Sequence, residues 1–77
     1  MSPKLPSLTG KELVRVALKA GFVFRRQTGS HAVYVRQSDK TRIVIPLHAG
    51  KTLKRKTLHG IIRDMKMTTE EFARLLI

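Results

Sequence analysis

Seventy-seven residues with 16 Lys and Arg against 5 Asp and Glu, a formal charge of +11 and no Cys or Trp describe one small, strongly basic domain. A chain this short buries only roughly 60% of its unfolded surface, so it has room for one modest core and not for a multi-domain enzyme. The lack of Cys removes disulfide frameworks, thiolate metal sites and thiol nucleophiles together.

Apolar runs of a few residues fall far short of the roughly 20 needed to span a bilayer, and no charged-then-apolar leader precedes them. A soluble, cytoplasmic protein is expected. Charge is uneven along the chain: +7 over residues 1–50, +5 over 51–66 and −1 over 67–77. The densest part surrounds Lys51, Lys54, Arg55 and Lys56, and such a patch meets a polyanion, with nucleic acid first, an acidic protein second and an anionic membrane surface third.

Pro3 and Pro6 keep the lead-in extended. Thr9 with Glu12 three residues on reads as a capping box, and Leu8 with Leu13 as a hydrophobic staple. Leu13, Val16, Ala17 and Ala20 recur at helical spacing and Gly21 stands at a left-handed C-terminal position, which predicts a helix over about residues 10–20. Residues 22–27 read as a strand before the turn Thr28-Gly29-Ser30, followed by strands from His31 to Arg36 and from Thr41 to Ile45 around the polar tetrad Gln37 to Lys40. Pro46 ends the third strand by removing a ladder donor.

A second helix is predicted from about Lys54 to Lys66, with Leu58, Ile61, Ile62 and Met65 on one face, and Thr68 to Glu71 form a second capping box that opens a short helix. The order α-β-β-β-α-α is an α+β arrangement. One three-stranded antiparallel sheet with its helices on one face buries these stripes and leaves the other face for a ligand. Phe22, Phe24 and Phe72 are expected in the core.

His31 follows a flexible turn and begins a strand, where an imidazole can be presented to solvent or can simply fill space beside Val33 and Val35, which share its parity. A four-residue hairpin loop pairs Arg36 with Thr41, which sets His31 opposite Pro46 and Gly29 opposite His48. His31 and His48 are then expected to converge at one end of the sheet, where two imidazoles can serve as an acid/base pair for RNA cleavage. His59, inside the second helix, reads as structural or solvent-facing.

Lys51, Lys54, Arg55 and Lys56 straddle a helix start, where free N–H groups and added cations suit phosphate. Arg25, Arg26, Arg36 and Arg42 are placed to extend that track across the sheet, and Tyr34 either stacks on a base or packs on a sheet face. Neither a P-loop, a zinc motif, a carboxylate pair nor a Ser/His/Asp set is present, so no cofactor or metal is expected.

Several motifs together resemble the HicA toxins, small bacterial messenger-RNA interferases of type II toxin-antitoxin modules. They are Leu5-Pro6 with Thr9-Gly10-Lys11-Glu12-Leu13, Ala20-Gly21-Phe22, the run from Arg26 to Tyr34, Val44 to His48, and Thr57-Leu58 with Ile61-Ile62-Arg63. The resemblance runs from about Leu5 to the last helix. It implies a fold like the double-stranded RNA-binding domain, an endoribonuclease with His31 as its catalytic histidine, RNA as substrate and a HicB-type antitoxin as protein partner; with no metal motif in the chain, cleavage is expected to be metal-independent. The candidate RNA-binding set is Arg25, Arg26, Ser30, Tyr34, Lys51, Lys54, Arg55 and Lys56, with His48 as the candidate second acid/base group. Two positions depart from the family pattern: Ala32 stands where a second His often follows the motif His, and Lys56 where a Gly commonly precedes Thr-Leu. A non-catalytic module for double-stranded RNA is the alternative, and a basic face that only docks an acidic protein is a third.

Overall fold

Thr9 starts the fold. Its Oγ1 accepts a hydrogen bond from Glu12 N at 3.2 Å while Glu12 Oε1 accepts from Thr9 N at 2.9 Å, so the predicted capping box satisfies two of the helix's free donors. Helix α1 (Gly10–Lys19) follows, with Leu13, Val16 and Ala17 buried along its inner stripe. In this computed structural model residues 5–76 are described, so Pro3 lies outside the described residues. Gly21, at φ +92°, reverses the chain after α1, and Phe22 N then donates to Ala17 O at 2.9 Å.

Strands β1 (Val23–Thr28), β2 (His31–Arg36) and β3 (Thr41–Pro46) form an antiparallel sheet in the order β1-β2-β3. The β2–β3 register is the one expected from the hairpin loop, running from Arg36 opposite Thr41 to His31 opposite Pro46. Pairing stops there. Leu47 N donates to Ser30 O, but Gly29 and His48 do not extend the ladder as expected, because the chain turns after Leu47 and Lys51 N closes onto His48 O at 3.0 Å.

Helix α2 (Arg55–Asp64) and α3 (Thr69–Arg74) complete the chain, with Thr68 and Glu71 forming the second capping box. The core joins Leu13, Ala17 and Phe22 to Ala32, Tyr34, Ile43 and Ile45 of the sheet, to Leu58, Ile61, Ile62 and Met65 of α2, and to Phe72 of α3. These sheet residues alternate with Val33, Arg42 and Val44, so all helices cover one face, as expected, and the fold agrees with the double-stranded RNA-binding type.

Phe24 is a correction: it was expected in the core and is 55% exposed. It pairs across from Tyr34, on the face toward the helices, but α1 and α2 pack over β3, at the far side of the sheet from edge strand β1. Its ring keeps only an edge contact with Tyr34, 5.6 Å between centroids.

Arg36 is another. Expected to extend a cationic track, it instead clamps the β2–β3 hairpin, donating to Asp39 from Nε at 3.1 Å and Nη2 at 2.9 Å, reaching Met65 O at 3.1 Å, and lying 4.7 Å over the Phe22 ring.

The start of α1 is seated against the end of β3. A Cβ on Gly10 would lie 2.2 Å from Pro46 O and 2.9 Å from a Leu47 methyl. Gly10→Ala, which in an open helix would gain about 1 kcal/mol, is therefore expected to destabilise the protein by roughly 1–3 kcal/mol through overpacking, read as a lowered urea midpoint.

Acid sensitivity follows from three carboxyls. Hydrogen bonds from the Thr9 and Thr68 backbone hold Glu12 and Glu71 below the ordinary Glu value of 4.5, and the Arg36 guanidinium holds Asp39 well below its ordinary 3.8. A folded-state pKa below the unfolded one contributes stability above the unfolded value and loses it as pH falls through the folded one. The urea midpoint should therefore begin to drop as pH falls through 4.5 and 3.8. The triple variant Glu12→Gln, Asp39→Asn, Glu71→Gln should show a flatter acid limb, and an unchanged limb would count against these three groups.

Candidate catalytic end and nucleic-acid interface

The register sorts the uncovered face of the sheet into rows. Thr28, His31 and Pro46 form the row at one end; Arg26, Val33 and Val44 form the next; Val23, Val35 and Arg42 form the third. His31 is exposed at the first residue of β2, directly after the tight turn at Gly29 and Ser30. Ser30 is half-buried in that turn.

Arg25 and Arg26 would point to opposite faces in a regular strand. The pairing shifts between Phe24 and Arg26, so Arg25 is an extra residue in the ladder, and both arginines border one hollow on the open face. That hollow, about 600 Å³, has Val33 and Val35 at its floor and Lys40 and Arg42 on its other side.

His48 and His31 come to the same end of the sheet but do not share a cavity. His48 lines a second hollow, about 660 Å³, between α1 and the loop after β3, with Lys11, Val14, Tyr34 and Leu47. Tyr34 is only 7% exposed at the edge of this space, so Phe24 offers the more open aromatic surface.

Lys51, Lys54, Arg55 and Lys56 are all exposed. Lys54 occupies the N-cap of α2 without a side-chain capping bond, and no acid sits in the first turn, so the positive end of this helix is open. An isolated bridge between Thr9 and Thr52, with Leu53 N donating to Leu8 O at 2.6 Å, ties this cluster to the start of α1. Because Gly10 in turn rests on Pro46, the cluster stands near the His31 end of the molecule. None of these cations, nor Arg25, Arg26, Lys40 or Arg42, forms a salt bridge among the described residues. His59 is exposed on α2.

Lys11 and Lys40 were not singled out in the sequence. Lys40 lies in a hairpin loop and Lys11 in the first turn of an amphipathic helix, where a cation is ordinary; only the cavities they border distinguish them. Among the described residues no three of His, Asp and Glu come together as a metal site would require, and no helix is long and apolar enough to cross a membrane.

A search of curated proteins found no match to the chain. Residues 10–67 match the model of a family described as HicA toxin of bacterial toxin-antitoxin, a span running from the first residue of α1 to just past α2 that takes in the whole sheet, His31 and the basic start of α2. With most of its 77 residues inside that match and the sheet and helices in the order the resemblance implies, the chain belongs to the HicA toxin family.

Proposed function

We propose that this toxin is a metal-independent endoribonuclease that cuts messenger RNA with His31 and is silenced by a HicB-type antitoxin. The observation that carries the reading is the position of His31, exposed at the end of an open sheet face whose next row holds Arg26, with the Lys51 to Lys56 cluster near the same end. Family membership supplies the coarser frame, a toxin with a cognate antitoxin.

His31 acts as general base. It takes the proton of a ribose 2′-OH, the 2′-oxygen attacks the adjacent phosphorus, and the bond from phosphorus to the 5′-oxygen breaks. The products are a 2′,3′-cyclic phosphate and a 5′-hydroxyl, whose oxygen takes its proton from His48 or from water. Arg26 is a diagonal neighbour of His31 within about 8 Å across the strands, close enough for its guanidinium to offset charge that develops on the phosphate. The antitoxin presents acidic groups to a surface of formal charge +11.

His31→Ala should lower RNA cleavage by about 10²–10⁴-fold and abolish toxicity, with the circular dichroism spectrum and urea midpoint unchanged; a fully active variant would remove His31 from the mechanism. Cleavage should survive EDTA, and strict dependence on added metal would overturn the metal-free chemistry. The fold order also favours a second reading, a non-catalytic module for double-stranded RNA. A product-end assay separates the two, since that module retains duplex RNA uncut and yields no cyclic phosphate.

A further inference from the structure

The open face of the sheet carries four cations around one hollow, and no acidic side chain among the described residues pairs with them. Arg25 and Arg26 stand on one side, Lys40 and Arg42 on the other, and none has a carboxylate partner among the described residues. Like charges gathered at a concavity repel one another unless an anion arrives, and a bulge is spent here on turning a second arginine toward the same space. Three of the four are guanidiniums, whose planar donor fork suits phosphate oxygens.

The floor is apolar. Val33, only 7% exposed, and the half-buried Val35 lie beneath the hollow, and the open apolar surface comes from Val44 and Val23, 39% and 50% exposed, which flank them on the same face. A duplex offers phosphates and sugars at its surface and keeps its bases stacked inside, so exposed valines gain nothing from it; a single strand brings unstacked bases that can lie on an apolar floor while its phosphates meet the rim.

We propose that this hollow is the binding groove for single-stranded RNA, gripping the strand on one side of the scissile phosphate. The proposal rests on the endoribonuclease reading and specifies its substrate as single-stranded. Arg26 lies one row from His31, and Arg42 a further row away. The Lys51 to Lys56 cluster stands near the His31 end of the sheet, tied to it through the Thr9–Thr52 bridge and the Gly10–Pro46 approach, and away from the Arg42 row. A strand crossing from the hollow over His31 to the start of α2 is held on both sides of the cut, which is what internal cleavage requires.

The test uses the full chain and a fluorescent oligouridine carrying 2′-O-methyl groups, which no 2′-oxygen attack can cut, so the affinity is independent of whether His31 is catalytic. A duplex of the same length is the comparison probe. Arg26→Ala with Arg42→Ala should weaken single-strand binding by at least about 10-fold and reduce the slope of log K against log salt by about 1.4, two phosphate contacts at about 0.7 each. Duplex binding should change much less. The exposed pair Arg63→Ala with Lys66→Ala removes the same charge from another part of the surface and should leave single-strand affinity within about 2-fold. Equal single-strand affinity in wild type and the Arg26/Arg42 variant overturns the groove, as does an equal loss on both probes. Arg26/Arg42-dependent binding of oligoglutamate with no binding of the oligouridine would assign the hollow to an acidic protein instead. If His31→Ala still cuts RNA while these affinities behave as expected, the catalytic assignment fails and the groove stands.

Discussion

A three-stranded sheet has two faces, and the helices of the described residues cover one of them. Ala32, Tyr34, Ile43 and Ile45 are drawn under α1 and α2 by the hydrophobic effect, and α3 adds Phe72 to the same core. Because side chains alternate along a strand, burying that set commits Val33, Arg42 and Val44 to the other side. The open cationic face is thus a consequence of where the core is. A slip of one residue in β2 would turn His31 toward the helices and carry Ala32 and Tyr34 to the open face, and the function proposed for His31 would go with it.

The second organising contact is the close approach of α1 to the end of β3. Gly10 brings backbone against backbone at Pro46, and the Thr9–Thr52 bridge lays the segment before α2 beside the start of α1. Two helix starts and the end of the sheet therefore meet in one region, with His31, His48 and the lysine cluster around it. Their nearness comes from backbone packing, since no salt bridge or side-chain hydrogen bond among the described residues joins these groups to one another.

Electrostatics divides the charged residues by task. Glu12 and Glu71 close capping boxes, and Asp39 holds Arg36 over the hairpin, so these acids are occupied with local structure. The cations of the open face and of the α2 start have no salt-bridge partner among the described residues, which is costly to the free protein and favourable when a polyanion binds. On β1 the two arginines and the bulge serve a further end: they discourage another strand from adding to this exposed edge.

Much of this was legible in the sequence because it is local. Thr9 with Glu12 and Thr68 with Glu71 are encoded within four residues, the β2–β3 register follows from a four-residue loop and the alternation of Val, Ile and Tyr, and the motif from Gly29 to Tyr34 pointed to the family. Four other features depended on partners distant in the chain. Phe24 is exposed because the helices settle over β3 and leave β1 uncovered. Arg36 turns to Asp39, Met65 and Phe22 instead of to the open face. His48 falls on the α1 side of the sheet end, and Arg25 joins Arg26 through a bulge that no nearby Gly or Pro announces. Caps, turns and alternation act over a few residues and so can be read along the chain, whereas which strand the helices cover, and where a ladder takes up an extra residue, depends on packing energies summed across the whole molecule.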